Sequence, residues 1–373
     1  MIQLLTIIGA RPQIIKAAAV SRAVKEHFSD RIEEKILHTG QHYDTNMSQV
    51  FFDELGIPAP HFNLGVGSGS HGAQTARMME GIEKVLCSEH FDGIILYGDT
   101  NSTLAGAVAA AKLHVPVFHI EAGLRSFNMT MPEEQNRIVC DHLSSILFAP
   151  TQTAVDNLAS EGLMSSGALF KNGKGRQIIN SGDVMYDNAL YFSSLTEQRS
   201  HILQDCQVNA GAYILATIHR DFNTDNPARI NSIFKALSTI ADENSIPVIL
   251  PLHPRTRKYL PSGLSSKIII IPPASFFDIL TLEKNASVVM TDSGGVQKEA
   301  FFFGKPCVIL RPETEWVEII DNKAGILADA NYDAIVDAYG AMSNKKIQFP
   351  PLFGDGTAAE KILSAILDYL EEQ

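Results

Sequence analysis

Short apolar runs alternate with amphipathic stretches throughout the first half of the chain. Each run is only a few residues long, is rich in Ile, Leu, Val and Phe, and is followed by a segment with helix-like spacing of its apolar positions. Strands buried on both faces read as continuous apolar runs, and their alternation with helices is typical of parallel βαβ units. The runs that predict strands in this half are LLTIIG, EKILHTG, GIILYGD, VPVFHIEAG and SILFAP.

The alternation loosens near residues 165–180, where SSGALFKNGKGRQIINSGD is rich in Gly, Ser and Lys, as linkers and exposed loops are. It then restarts with five further runs: YILATIH, IPVILPLH, SKIIIIPP, ASVVMTDSGG and KPCVILR. The pattern predicts an α/β protein of two doubly wound, Rossmann-like domains that face each other, at residues 1–172 and 173–356. A last helix within residues 357–373 is expected to close the chain and to pack on the N-terminal domain.

The length and the net charge of the chain exclude some classes of protein. The 373 residues suffice for two hydrophobic cores, since a domain commonly takes about 100–200 residues. With 30 Lys and Arg against 42 Asp and Glu, the formal net charge is −12, which argues against a nucleic-acid or anionic-membrane partner. No run approaches the ~18 apolar residues of a membrane span, and the start lacks a signal peptide, so a cytoplasmic protein is predicted. The four cysteines form no CxxC pair, which favours buried thiols over disulfides or zinc.

In open α/β sheets, ligands bind beyond the carboxyl ends of the strands, so polar residues directly after an apolar run are candidates for chemistry. The segment 291–299 follows the run ASVVM and opens a predicted helix. Its two glycines let backbone N–H groups and the helix N-terminus approach a phosphate closely. We therefore expect Ser293, Gly294 and Gly295 to bind phosphate; an ordinary tight turn is the structural alternative. Glu299, one turn further on, suits two ribose hydroxyls, unless it is only a solvated helix carboxylate.

Three acidic residues are expected at the carboxyl edge of the first sheet. Asp99 and Glu121 each follow an apolar run, and Glu133 comes shortly after them in MPEEQNR. Crowded carboxylates raise one another's pKa, so that some can donate a proton near neutrality while others act as bases. Acid–base chemistry is the favoured hypothesis. A metal site is the rival, although no two of the three have helical ligand spacing. As a structural alternative, Asp99 and Glu133 are only helix N-caps.

Because the net charge is negative, a bound diphosphate would need a local positive field. Cationic side chains that follow apolar runs could supply it; they are Arg11, Lys16, His219, Arg220, His253 and Arg255. Lys16 and His219 could equally be ordinary surface residues.

No nicotinamide site is predicted. Gly67–Gly72 matches the dinucleotide pattern GxGxxG, but the preceding HFNLGV is a poor strand, so a mobile loop is expected there. The first strand-to-helix turn, Ile8–Pro12, contains a single glycine.

Nine motifs together resemble the UDP-N-acetylglucosamine 2-epimerase family, almost from end to end of the chain. They are GARPQIIKAA, TGQHYD, GDTNSTLAGAVAA, HIEAGLRS, MPEEQNR, ATIHRD, LPLHPRT, TDSGGVQKEA and GKPCVILR. They look like the non-hydrolysing bacterial enzymes. This resemblance implies the two-domain fold of B-type glycosyltransferases with the active site between the domains, a homodimer, and a role in surface-polysaccharide precursors.

The resemblance also implies the reaction and the residues that carry it. The reaction is inversion at C2 of a UDP-activated N-acetylhexosamine, with no requirement for NAD or a metal. Because the C2 hydrogen adjoins no carbonyl, elimination of UDP and its re-addition is the expected route. The matching catalytic residues are Asp99, Glu121, Glu133 and His219. The matching UDP-binding residues are Arg11, Lys16, Ser293, Gly294, Gly295 and Glu299, with His253, Arg311 and Phe276 as further contacts.

Three segments depart from the common family pattern. Residues 41–46 read QHYDTN instead of QHREML, a segment associated with a second, activating UDP-GlcNAc. Glu315-Trp316 stands where many members carry an Arg, which suggests Arg311 as a replacement, and residues 274–279 also differ. GARPQ, QHYD, RSFNM and TEWVE look like the subgroup acting on UDP-2,3-diacetamido-2,3-dideoxyglucuronic acid. The rival functions are a hydrolysing 2-epimerase, a glycosyltransferase of the same fold and a UDP-sugar sensor without turnover.

Overall fold

The computed structural model describes residues 1–41, 52, 55–164, 174–252, 257, 260–343 and 346–371. Residue contacts divide the chain into two compact units. Unit 1 comprises Met1–Asn188 and Pro351–Gln373, and unit 2 comprises Ala189–Pro350. None of the helices in these described ranges is both long and apolar enough to cross a membrane.

Unit 1 is built on a seven-stranded parallel sheet in the order β3-β2-β1-β4-β5-β6-β7. Its strands are β1 Ile2–Ile8, β2 Ile32–His38, β3 Phe62–Asn63, β4 Gly93–Tyr97, β5 Val117–Ile120, β6 Ile146–Ala149 and β7 Gln177–Asn180. β1 pairs with both β2 and β4, so the winding direction of the chain reverses between β1 and β4. This reversal is the switch point at which open α/β sheets bind ligands beyond the strand ends.

The helices of unit 1 cover the sheet. They are α1 Arg11–Ala23, α2 His71–Ser88, α3 Asn101–Lys112, α4 Pro132–Leu143, α5 Gln152–Ser160 and the first half of α6 Val184–Ser193, which crosses the boundary after Asn188, with a π-helical turn, Val24–Phe28, after α1. Small residues let α3 approach the sheet closely: a Cβ on Gly106 would lie only 2.7 Å from Leu96 Cδ2 and 3.2 Å from Ile7 Cδ1. α3 therefore packs closely against β1 and β4, the two strands at the switch point.

Residues 67–70 are irregular and precede α2, which begins at His71, so most of the GxGxxG match lies in a loop, as expected; its mobility stays a prediction. The Gln74 side chain donates to the Gly67 carbonyl at 2.8 Å.

One local prediction in unit 1 was wrong. Cys87 is exposed rather than buried, whereas the other three cysteines are buried. It lies off the buried stripe of α2, which runs through Gln74, Met78 and Ile82.

Unit 2 repeats the architecture with a six-stranded parallel sheet in the order β10-β9-β8-β11-β12-β13. Its strands are β8 Ile214–Thr217, β9 Val248–Pro251, β10 Ile268–Ile271, β11 Val288–Thr291, β12 Cys307–Ile309 and β13 Gly325–Leu327. Its helices are α7 Thr196–Arg199, α8 Ile202–Asp205, α9 Asp221–Thr224, α10 Pro227–Glu243, α11 Phe276–Asn285, α12 Gly294–Phe302, α13 Val317–Asp321 and α14 Tyr332–Ser343. A second switch point lies at β8, which pairs with both β9 and β11.

The contacts place the boundaries between units after Asn188 and after Pro350, whereas the sequence analysis placed them after residues 172 and 356. β7 belongs to unit 1 because it pairs with β6. The C-terminal helix, α15 Ala358–Glu371, also belongs to unit 1. The Asp187 carboxylate accepts hydrogen bonds from the first two backbone N–H groups of α15, those of Ala358 and Ala359, at 3.1 and 2.8 Å. The Tyr369 ring meets Phe118 edge-on at 5.8 Å.

We expect Asp187→Ala to destabilise the protein, because the buried N-terminus of α15 would lose its acceptor. The expected loss is about 1–2 kcal/mol, as for other capping side chains. Urea unfolding followed by circular dichroism measures it. The exposed Asp30→Ala should change stability by less than about 0.5 kcal/mol. A loss for Asp187→Ala no larger than this control would show that the cap contributes nothing.

Candidate functional site

Four charged side chains meet at the carboxyl ends of β4 and β5. The Arg137 guanidinium on α4 lies 2.7 Å from Asp99 Oδ2 and 3.2 Å from Glu121 Oε1. The Lys16 ammonium on α1 lies 2.6 Å from the other oxygen of Glu121. Three of the four side chains are about nine-tenths buried, but Asp99 is 28% exposed. Asp99 is therefore the member of the cluster most accessible to a ligand.

Arg137 had no assigned role in the sequence analysis, which expected the carboxylates to crowd one another. In the structure its guanidinium pairs with Asp99 and with Glu121, and Lys16 supplies a second positive charge to Glu121. Burial disfavours the charge on Arg137, but Asp99 and Glu121 offset this and raise the pKa of the guanidinium above its usual value. The motif MPEEQNR carried a usable signal, since Arg137 stands four residues after Glu133 and so lies on the same face of α4.

Glu133 itself is exposed in the first turn of α4. The neighbouring Glu134 is buried, and its carboxylate accepts hydrogen bonds from the Ser126 N–H and hydroxyl and from the Phe127 N–H, at 2.9 to 3.0 Å. Glu134 thus orders the loop before α4, while Glu133 faces solvent one turn from Arg137.

The backbone at the two strand ends is unusual. Glu121 has a φ of +69°, in the left-handed region that is costly for any residue with a Cβ. Its N–H and that of Ala122 both donate to the Phe148 carbonyl at 3.1 Å, which holds this conformation. Gly98, directly before Asp99, has a φ of +61° and needs no such support. Both turns direct the chain so that the two carboxylates reach Arg137.

A second, fully buried charged layer supports these strand ends. His119 on β5 lies 2.7 Å from Asp141 through Nδ1 and 2.7 Å from the Gly98 carbonyl through Nε2. A carbonyl and a carboxylate only accept hydrogen bonds, so both ring nitrogens carry protons and His119 is cationic. Burial opposes this charge, but Cys140 and Asp141 raise the pKa of His119 to about 10. Arg125 completes the layer, 2.8 Å from the other oxygen of Asp141.

Gln13, also unassigned from sequence, connects two of the loops. Its side-chain oxygen accepts from the Gly9 and Ala10 N–H groups at 2.9 and 3.2 Å. Its amide nitrogen donates to the Tyr97 carbonyl and the Thr103 hydroxyl at 3.0 and 3.1 Å. The predicted ligand residue Arg11 opens α1 beside it and is exposed.

In unit 2, Asp292 organises the ends of β8 and β11. This fully buried carboxylate accepts from the His219 N–H at 3.1 Å, the Arg220 N–H at 3.1 Å and the Asn223 side chain at 3.0 Å. It also lies 3.3 Å from His219 Nδ1, while the His219 side chain remains 54% exposed. Asp292 therefore orients the ring and leaves much of it accessible.

The predicted phosphate cradle is the N-terminus of α12. Ser293 is its N-cap and accepts from the Val296 N–H at 3.5 Å. The Glu315 carboxylate lies directly against this turn: a Cβ on Gly294 would be only 2.0 Å from its Oε1. Arg311, predicted as a diphosphate contact, lies 3.0 Å from Glu315 Oε2. A carboxylate thus lies where the helix dipole favours a negative charge, and Arg311 pairs with it.

The remaining predicted ligand residues of unit 2 lie nearby or in its core. Glu299 follows one turn into α12 and is partly exposed. Trp316 is buried, and the Lys298 ammonium lies 4.4 Å from its ring centroid. Phe276 is also buried, edge-on to Phe192 at 5.0 Å, so its ring is a packing element. His253 and residues 42–51 lie outside the described residues.

Within the described ranges, no group of three or more His, Cys, Asp or Glu side chains is arranged to hold a metal ion. The carboxylates at the strand ends of unit 1 are suited to proton transfer, and the N-terminus of α12 in unit 2 is suited to anion binding.

We expect the buried layer to make stability depend on pH. The pKa of His119 is higher in the folded state, about 10, than its usual 6.5, so its contribution is complete below pH 6.5 and is lost as the pH rises towards 10. In urea titrations, the wild-type unfolding free energy should fall across this window, by at most about 1.4 kcal/mol per pH unit. His119→Gln should be less stable at pH 7 and lack this part of the slope. Equal slopes for the two proteins would contradict a cationic His119.

We expect Glu315→Gln to strengthen anion binding at α12, because it removes a negative charge from the helix N-terminus. Isothermal titration with inorganic pyrophosphate should show a few-fold higher affinity, corresponding to about 0.3–1 kcal/mol. Glu313→Gln, an exposed carboxylate two residues away, is the matched control and should bind as the wild type does. Equal affinities for the two variants would mean that Glu315 does not compete for this position.

Comparisons with known proteins identify relatives of similar sequence and fold. Residues 24–367 match the model of the UDP-N-acetylglucosamine 2-epimerase family. The chain is 49% identical to UDP-2,3-diacetamido-2,3-dideoxy-D-glucuronate 2-epimerase of Pseudomonas aeruginosa, over 96% of this chain and 98% of that one. The crystal structure of Methanocaldococcus jannaschii UDP-GlcNAc 2-epimerase in complex with UDP-GlcNAc and UDP superposes with a TM-score of 0.84 at 40% identity, covering 99% of this chain and 100% of that one.

The predicted fold is confirmed more broadly. A ugt transferase from Siraitia grosvenorii, solved in complex with UDP, has a TM-score of 0.62 over 100% of both chains at only 11% identity, so the fold is shared without close relationship. The family match and the 49% relative both span nearly the whole chain. The chain therefore belongs to the UDP-N-acetylglucosamine 2-epimerase family, as its motifs predicted.

Proposed function

We propose that the protein inverts C2 of a UDP-activated 2-acetamido sugar by eliminating UDP and adding it back. Family membership supports the reaction class. The observation that carries the assignment of the machinery is the Asp99 and Glu121 pair, whose carboxylates end adjacent strands and share Arg137. Two acidic groups at one strand edge suit a reaction in which one group removes a proton from a carbon and an acid returns one.

The chemistry explains why elimination is the preferred route. The C2–H bond of such a sugar adjoins no carbonyl, so a negative charge left at C2 could not be delocalised. Instead, a carboxylate takes the C2 proton, the C–H electron pair forms a C1–C2 double bond, and the C1–O bond breaks with its electrons passing to the β-phosphate. The UDP oxygen then adds back to C1 while an acid delivers a proton to the opposite face of C2. No redox equivalent enters or leaves, so the proposed route calls for neither NAD nor a metal.

In unit 1, we assign the proton transfers to Asp99, Glu121 and Glu133. Asp99 is the most accessible of the buried cluster, and Glu121 is held by Lys16 and Arg137 on opposite oxygens. Both cations keep the carboxylates fixed, which is a precondition for efficient proton transfer. Glu133, exposed one helical turn from Arg137, is assigned to the same group of acids.

In unit 2, we assign binding of the leaving diphosphate to the N-terminus of α12. Its backbone N–H groups and dipole stabilise the negative charge that develops when the C1–O bond breaks. His219, oriented by Asp292, is assigned to the catalytic step at the phosphate. The further UDP-binding residues in this proposal are Arg11, Lys16, Ser293, Gly294, Gly295, Glu299 and Arg311.

For the sugar, we propose UDP-2,3-diacetamido-2,3-dideoxy-D-glucuronate as the preferred substrate and UDP-N-acetylglucosamine as the alternative. The support for this order is the 49% identity to the Pseudomonas aeruginosa enzyme named for the first sugar, against 40% to the Methanocaldococcus jannaschii enzyme named for the second. A cytoplasmic homodimer that supplies a surface polysaccharide stays a prediction.

Incubation in D₂O tests the reaction and its substrate. With the preferred sugar, the wild type should place deuterium at C2 and form the second epimer, detected by NMR. Asp99→Asn should lower this exchange by about 10²–10⁴-fold, the usual contribution of a general acid or base, while UDP affinity stays within a few-fold.

The exposed Asp30→Asn is the matched control and should exchange normally. Near-normal exchange by Asp99→Asn would remove this residue from the mechanism. Absence of C2 deuterium in both sugars would reject the epimerase function, and release of free sugar with stoichiometric UDP would indicate the hydrolysing reaction instead.

A further inference from the structure

One buried acidic residue of unit 2 has no role in the proposed reaction. Glu283 lies on α11 and is fully buried. Its sequence neighbours Leu282 and Ala286 belong to an apolar cluster that also contains Val289 and Ala300. Among the described residues, no N–H or hydroxyl group donates a hydrogen bond to either of its carboxyl oxygens. An ionised carboxylate in such surroundings would be strongly disfavoured.

The side chain that acts on Glu283 is another carboxyl, that of Glu299 on α12. The helices α11 and α12 pack together, and Glu299 lies close enough to Glu283 to influence its ionisation. Two carboxyl groups can share a hydrogen bond only if one of them carries the proton. Burial, and then the charge of Glu299, raise the pKa of Glu283 well above its usual value. Glu283 is therefore the neutral acid, and Glu299, which is partly exposed, is the group that can accept a hydrogen bond.

We propose that Glu283 is a positioning residue for the nucleotide: its O–H donates to the Glu299 carboxylate and fixes it so that it accepts both hydroxyls of the ribose. An ionised carboxylate has about four acceptor positions, so it can accept from Glu283 and from two hydroxyls together. This inference rests on the proposed role of Glu299 in ribose binding and extends it to a residue that does not touch the ligand.

The proposal makes Glu283 part of how the protein recognises a ribonucleotide. A Glu299 side chain without its buried partner would sample other rotamers, and ordering it on binding would cost affinity. The cost falls on the hydroxyl contacts, so it should be largest with UDP and smaller with 2′-deoxy-UDP, which offers one hydroxyl fewer. A merely structural role for Glu283 would weaken both ligands alike.

Two substitutions at Glu283 separate its donor function from its packing. Glu283→Gln keeps an N–H donor of similar shape, whereas Glu283→Met keeps approximate size and removes the donor. The Met variant should fold, because replacing a buried polar group by an apolar one of similar volume is often neutral or stabilising. Thermal unfolding checks this, and the exposed Glu243→Met is the matched control.

The measurement is isothermal titration of the full-length protein with UDP and with 2′-deoxy-UDP. Wild type should prefer UDP by at least about tenfold, since unpaired polar groups are costly. Glu283→Met should lose about tenfold in UDP affinity and clearly less, about threefold, in 2′-deoxy-UDP affinity, while Glu283→Gln stays within about threefold of wild type for both. Either UDP binding by Glu283→Met at the wild-type level, or equal losses for both nucleotides, would overturn the proposal.

Glu299→Gln distinguishes this failure from failure of the underlying assignment. If Glu299→Gln binds UDP as tightly as wild type, Glu299 has no ribose role, and the inference about Glu283 falls with it. If Glu299→Gln loses the preference for UDP but Glu283→Met keeps it, the ribose assignment stands and only the role of Glu283 is overturned. Both results come from binding alone, so they do not depend on whether the proposed epimerisation occurs.

Discussion

The carboxylates of Asp99 and Glu121 share one guanidinium, that of Arg137, at the ends of two strands buried on both faces. The charged side chains around this pair are also matched with opposite charges. Four cations in unit 1 face four anions: Lys16, Arg125, Arg137 and His119 against Asp99, Glu121, Asp141 and Glu161. Compensated charges can be buried at moderate cost, whereas removing one partner leaves a strongly destabilising charge behind. Of the cations that the sequence analysis proposed for a diphosphate, Lys16 is thus already paired with an acid.

Unit 2 applies the same principle to an anion-binding turn. The N-terminus of α12 attracts negative charge, and Glu315 supplies one, itself paired with Arg311. Two further carboxyl groups act close to this turn in the sequence. Asp292 orients His219, and Glu283 lies beside Glu299. A ligand diphosphate would replace an internal carboxylate, so its net affinity depends on how readily Glu315 gives up its place. In both units, acidic and basic side chains of the protein pair with one another and fix the conformation of the strand and helix ends.

Much of this organisation could be predicted from the sequence, because it depends on local pattern. Apolar runs and the polar residues after them predicted the α/β fold and the positions of Asp99, Glu121 and the segment 291–299 at strand ends. Pairing across the fold could not be predicted. Arg137 bridges residues 38 and 16 positions away, and Glu283 meets Glu299 across a helix interface. The spacing from Glu133 could place Arg137 on a face of α4, but no periodic pattern identifies Asp99 and Glu121 as its partners or Glu299 as the neighbour of Glu283. β7 belongs to unit 1 because it pairs with β6, so the unit boundary lies later in the chain, after Asn188. The sequence analysis missed this because the segment before β7 is glycine-rich and predicted a linker.

The central claim is that the bond between C1 of the sugar and the diphosphate oxygen breaks and re-forms while C2 inverts. Positional isotope exchange tests it directly, using UDP-sugar labelled with ¹⁸O in the bridge between C1 and the β-phosphorus. The account predicts that the label migrates into the non-bridging oxygens of the β-phosphate, at a rate at least comparable with epimerisation and abolished in Asp99→Asn. Complete epimerisation with the label still in the bridge would contradict it, because C2 would then have inverted with the anomeric bond intact.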